Sequence, residues 1–116
     1  MVYDSLVDSN DRPISNNGAT FVYSTGEPVV VLAVYGELDL ANKQQFHDAI
    51  LRAANADGEV AVDLTHCAYL DSTAVGAMIS CHKQLPHLSI RLAGNPIVER
   101  LFRIARLHEA LHCDIA

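Results

Sequence analysis

The chain has 116 residues, half of them apolar, and a formal net charge of −6 from 14 acidic and 8 basic side chains. That length holds one domain, and the apolar share fills its core without help from disulfides or metals. The charge argues against a nucleic-acid groove, which needs clustered Lys and Arg; the one local cluster, Arg100, Arg103 and Arg106, reads as a solvated helix face. Cys67, Cys81 and Cys113 lack Cys-x-x-Cys spacing, and the start Met-Val-Tyr-Asp-Ser lacks a signal-peptide pattern, so reduced thiols in a cytoplasmic protein are expected. No apolar run approaches the roughly 18 to 20 residues of a membrane span, which excludes direct membrane insertion.

Residues 1–20, rich in Ser, Asn, Asp and Gly, read as a flexible polar leader, and residues 21–116 as the folded domain. Phe21-Val22-Tyr23-Ser24 is a short strand, Thr25-Gly26-Glu27-Pro28 a turn, and the β-branched run from Val29 to Val34 the return strand of an entry hairpin. After Gly36-Glu37-Leu38-Asp39 the period changes. Phe46, Ala49, Ile50 and Ala53 mark one face of a helix, with Asp39 as its cap and an end near Asp57-Gly58. Residues 59–64 alternate as a strand again.

The apolar strand pattern stops at Tyr69-Leu70, and a helix over about 73 to 85 follows, with Val75, Met78, Ile79 and His82 at helical spacing and Asp71 or Ser72 at the N-cap. Pro86 breaks it. Leu88-Ser89-Ile90-Arg91-Leu92 is the next strand. Asn95-Pro96 then supplies a cap and a first-turn proline for a helix whose apolar stripe is Ile97, Val98, Leu101, Phe102 and Ala105. Residues 110–115 suggest a short edge strand. The order β-α-β-α-β predicts an α/β fold: a mixed sheet of four to five strands with alternating helices packed mainly on one face.

The chemistry concentrates at Asp71-Ser72-Thr73, where two hydroxyls stand at a helix mouth. A phosphate there would meet free backbone N–H groups and the positive end of the helix dipole. Gly36 fits a turn, and Gly76 fits close helix packing. No nucleophile elbow surrounds Ser72, and neither a P-loop nor a Gly-x-Gly-x-x-Gly is present, so no catalytic residue is assigned and the chain is expected to be an enzyme's substrate and not an enzyme. His108, His112 and Cys113 lie near one another, yet the other histidines show no matching spacing; neither a metal nor a cofactor is expected, and His82 reads as a packed core residue.

Gly36-Glu37-Leu38-Asp39, Asp71-Ser72-Thr73 and Arg100-Leu101-Phe102, in that order, give the sequence a resemblance to the STAS domain family of anti-sigma factor antagonists, over about residues 21 to 115. The resemblance implies a STAS-like fold and a phosphorylation site on the first hydroxyl after the Asp, here Ser72. It also implies a partner-binding surface at Asp39, Asp71, Ser72, Thr73 and Gly76. Where the family continues Ser/Thr-Gly-Leu-Gly this chain has Thr73-Ala74-Val75-Gly76, which implies a differently shaped docking surface. Many members also carry a final helix beyond the last short strand, which this sequence does not reach.

The function so implied is an anti-sigma factor antagonist. It would bind, when unphosphorylated, an anti-sigma factor of histidine-kinase-like ATPase fold, and be switched off when that partner phosphorylates Ser72 with its own ATP and magnesium. The alternative is a non-phosphorylated STAS subunit of a membrane lipid or anion transport complex. A nucleotide-sensing domain is a third reading.

Overall fold

The computed structural model describes residues 14–16, 18–25, 29–57 and 59–114. Alternating β-branched and aromatic residues form β2 (Ala19–Thr25) and β3 (Val30–Leu38), which pair antiparallel with Phe21 opposite Val34 and Tyr23 opposite Leu32. Ahead of them β1 (Ile14–Asn16) adds an antiparallel edge to β2. The described sheet thus includes residues 14–16 and 19–20 of the expected leader, because an edge strand needs only backbone pairing and no apolar period. The rest of the expected leader, residues 1–13 and 17, lies outside the described residues, as do residues 26–28 of the expected hairpin turn and Gly58.

The other strands are β4 (Val60–Asp63), β5 (Cys67–Leu70), β6 (Ser89–Arg91) and β7 (His112–Cys113), all paired parallel to their neighbours. The described sheet runs β1-β2-β3-β4-β6-β7, with β5 on β3. It is the expected mixed sheet, carrying β1 and β5 beyond the strands legible from pattern, and β7 is the anticipated edge strand. One edge of β3 serves two partners in succession, β4 beside Val30 to Ala33 and β5 beside Gly36 to Leu38, with the register shifting between Gly36 and Glu37. Gly36 permits this. Its φ is +94°, and a Cβ there would run into the carbonyl oxygen of Gly18, which accepts a hydrogen bond from the Glu37 N–H at 3.1 Å.

Among the described residues the α-helices are α1 (Lys43–Asp57), α2 (Ser72–Gln84) and α3 (Pro96–Ile104). Helix α1 packs on β2, β3, β4 and α2, and α3 packs on β5. The anticipated stripe of α1, Phe46, Ala49, Ile50 and Ala53, is buried against Phe21, Val30, Leu32 and Val34 of the sheet, with the rings of Phe21 and Phe46 stacked at 6.1 Å. Each large apolar side chain sealed this way contributes about 1.5 to 3 kcal/mol. On the opposite face Tyr35 is exposed and stacks on His66 at 5.0 Å. Among the described residues no helix is long and apolar enough to cross a membrane, and the three cysteines are free thiols.

Two expected helix faces and one expected cap shift. Helix α2 turns Ala74, Ala77, Met78 and Cys81 fully inward and leaves Val75, Ile79 and His82 at the margin, because small side chains let it lie close to α1. His82 is half-buried, its ring tilted against His112. In α3 only Val98 and Phe102 are buried; Ile97 and Ala105 are exposed. Asp39 does not cap α1 either: the Asn42 carbonyl accepts the Phe46 N–H at 3.0 Å, so Asn42 holds the start of that helix.

Candidate functional site

Leu38 and Leu70 are parallel partners at the ends of β3 and β5, so Asp39 and Asp71 leave the sheet side by side. The Asp71 N–H donates to the Leu38 carbonyl at 3.1 Å, tying the two exits together. Asp39 accepts the Ala41 N–H at 2.9 Å and closes a short turn. Behind it lies a residue that periodicity could not single out. Asn42 is fully buried, accepts the Asp39 N–H at 3.0 Å and donates to the Glu37 carbonyl at 2.8 Å, so it fixes the loop that holds Asp39 in place.

Asp71 is the N-cap of α2, one of the two positions expected for it. Its Oδ1 accepts the Thr73 N–H at 2.9 Å, the Ala74 N–H at 3.3 Å and the Thr73 hydroxyl at 2.5 Å. The Thr73 hydroxyl does most to hold the Asp71 carboxyl below its usual range, and the backbone N–H groups of Ala74, Thr73 and Leu40 add to it against a smaller effect of desolvation. The two neighbouring hydroxyls therefore differ. Thr73 is committed to Asp71, whereas Ser72, exposed at the first position of α2, has no hydrogen-bond partner for its hydroxyl among the described residues.

Ser72 borders a surface groove of about 500 Å³ between the end of β5, the start of α2 and the outer side of α3. Tyr69, Ile97, Leu101 and Ile104 give it apolar walls, and Asp71 and Arg100 add charge to the lining. Tyr69 is 51% exposed, Ile97 66% and Ile104 71%, with Leu40, 72% exposed, on the loop that follows Asp39. Solvated apolar residues of this size on a small acidic domain make the groove a candidate interaction surface. The sequence placed Ile97 in the core and Arg100 on a solvated face. The signal available was that α3 carries more apolar positions than one buried stripe requires.

Asp39, Asp71, Ser72 and Thr73 thus gather at one end of the sheet. Gly76 lies a turn further along α2, in a second groove of about 330 Å³ shared with Lys43, Gln44 and His47 of α1. A Cβ at Gly76 would meet nothing within 4 Å, so close helix packing does not account for this glycine.

Residues 21–112 match the family model described as Mlab, STAS domain. No curated protein matches the chain at a significant level. Among solved structures, it is similar to an anti-sigma factor antagonist from Mycobacterium paratuberculosis, with a TM-score of 0.71 and 18% identity over 82% of this chain and 84% of that one. A putative anti-sigma factor antagonist from Thermotoga maritima matches with a TM-score of 0.66 and 21% identity, over 80% of this chain and 84% of that one. The phosphorylated form of the Bacillus cell fate determinant SpoIIAA gives a TM-score of 0.57 and 20% identity, over 82% of this chain and 91% of that one. At such identities the likeness is one of fold.

Proposed function

The chain belongs to the STAS domain family, and from that premise we propose that it is a cytoplasmic anti-sigma factor antagonist switched by phosphorylation at Ser72. The carrying observation is the free, exposed Ser72 hydroxyl on the rim of an apolar groove, beside a Thr73 hydroxyl already engaged by Asp71. The unmodified groove docks an anti-sigma factor and thereby releases the sigma factor. That partner is a serine kinase of histidine-kinase-like ATPase fold and supplies its own ATP and magnesium. The chain is its substrate and needs neither a catalytic residue nor a cofactor.

Phosphorylation adds about −1.5 to −2 charge at the start of α2. The fold tolerates it, because the helix dipole at that end favours an anion by about 0.3 to 1 kcal/mol. The interface does not, since burying a dianion against a partner without a matched cation costs several kcal/mol. Asp39, Asp71 and Thr73 shape the loops around Ser72, and Gly76 extends the contact along α2 toward α1.

The test is affinity capture from native lysate with wild-type and Ser72→Glu baits, the bound proteins being identified by mass spectrometry. Recovery of a histidine-kinase-like anti-sigma factor by the wild type alone is the expected result. Equal recovery of membrane transport subunits by both baits would overturn it and place the chain in a lipid or anion transport complex.

A further inference from the structure

Helix α3 carries Arg100 and Arg103, Arg106 follows two residues past its end, and two of these three arginines are spent locally. Arg103 lies 4.0 Å from Glu99, and Arg106 makes a two-pronged contact with Glu109, both bonds 2.9 Å. Arg100 has no carboxylate partner among the described residues, and it is the one of the three that lines the groove bordered by Ser72. In a chain of net charge −6, an unpaired guanidinium over an apolar groove is placed to receive an anion. Asp71 lines the same groove, but its carboxylate is already engaged by Thr73 and by backbone N–H groups.

We propose that Arg100 reads the phosphorylation state of Ser72, pairing with the phosphate of that residue across the groove and closing the groove to its partner. The inference rests on the phosphorylation reading above and supplies its regulation. The mark is written when the γ-phosphoryl group of ATP, held by the partner kinase, moves to Ser72 Oγ. The bond from that phosphorus to ADP breaks, a new O–P bond forms, and the hydroxyl proton is released. The phosphate is repelled by Asp71 next to it and drawn toward Arg100, whose planar fork matches phosphate oxygens in two-pronged fashion. With Ser72 unmodified, the same guanidinium is open to a partner's carboxylate. With Ser72 phosphorylated it is taken from within, and the pair spans the groove between the starts of α2 and α3 over Ile97 and Leu101. The switch then acts by two routes: charge at the rim, and loss of the groove's free cation.

The test uses the full chain with phosphoserine installed at position 72 during synthesis, in wild-type, Arg100→Lys and Arg100→Gln forms. The second ionisation of the phosphate is followed by phosphorus NMR. The expected result is a phosphate pKa about half a unit lower with Arg100 than with Gln, with Lys between them, since a nearby cation favours the dianion and solvent screens the effect at an exposed site. The Arg100 Nε–H signal shifts on phosphorylation in the wild type. Superimposable titrations in all three forms would overturn the pairing. Should Arg100→Gln fail to fold, the contrast between Arg and Lys and the Nε–H signal still decide. Because no kinase is used, failure of the antagonist reading, seen as Ser72 never phosphorylated in cells, remains distinct from failure of this pairing.

Discussion

Asn95 and Asp71 each stand one residue before a helix and each accept backbone N–H groups of its first turn, yet they are built into the molecule differently. Asn95 is 7% exposed; its Oδ1 accepts the Val98 N–H at 3.3 Å, and its Nδ2 donates to the carbonyls of Leu64 at 2.9 Å and Cys67 at 2.8 Å. It therefore joins α3 to the connection between β4 and β5. Asp71 is half-exposed and charged, its bonds serve its own turn and the adjoining Leu40 loop, and the residue after it is left free. A cap that holds the fold together is buried and spends both ends of its amide. A cap that presents a site is near solvent and leaves its neighbour unencumbered.

The sharpest way to break this contrast is substitution at both caps. Asn95→Ala strands two buried carbonyls as well as the cap and is expected to cost about 2 to 4 kcal/mol in urea unfolding. Asp71→Ala removes a cap at the surface and should cost about 1 kcal/mol. A cost for Asp71→Ala equal to that of Asn95→Ala would contradict the division of roles.

Acid should separate the caps further. The folded pKa of Asp71 lies below the ordinary carboxylate value of 3.8, so its contribution is present above that value and is lost as pH falls through the folded one. Thermal melts of wild type and Asp71→Ala are thus expected to differ at pH 6 and to converge well below pH 4. The penalty of Asn95→Ala, an uncharged group, should persist across that range. The smallest effect is expected for Ser72→Glu, which places a charge at an exposed helix start and should change unfolding free energy by less than about 0.5 kcal/mol.

Much of the architecture was legible in periodicity: the β2–β3 hairpin, the inward stripe of α1, and the alternation of strands with helices. What escaped was tertiary. β1 and β5 have three and four residues, too few for an alternation to register, and β5 exists because Gly36 allows β3 to shift register and take a second partner. Asp39 was the more conspicuous cap, but the start of α1 went to Asn42, whose buried amide bonds depend on how the loop folds back over Glu37. At the site, Ser72 was readable from the switch of period at residue 71. Its groove was not, because the exposure of Ile97 and Ile104 depends on which side of α3 the rest of the chain leaves uncovered. The opposite fates of the Ser72 and Thr73 hydroxyls likewise needed the position of the Asp71 carboxylate.

The central claim, that modification of Ser72 controls binding without disturbing the fold, is tested most directly on the anti-sigma factor recovered with the wild-type bait. Calorimetric titration would compare its affinity for the unmodified and the Ser72-phosphorylated chain, with urea unfolding of both forms run in parallel. The account predicts a loss of affinity on the order of a hundredfold or more, a few kcal/mol, with the phosphorylated chain at least as stable to urea as the unmodified one. Equal affinities for the two forms would contradict it.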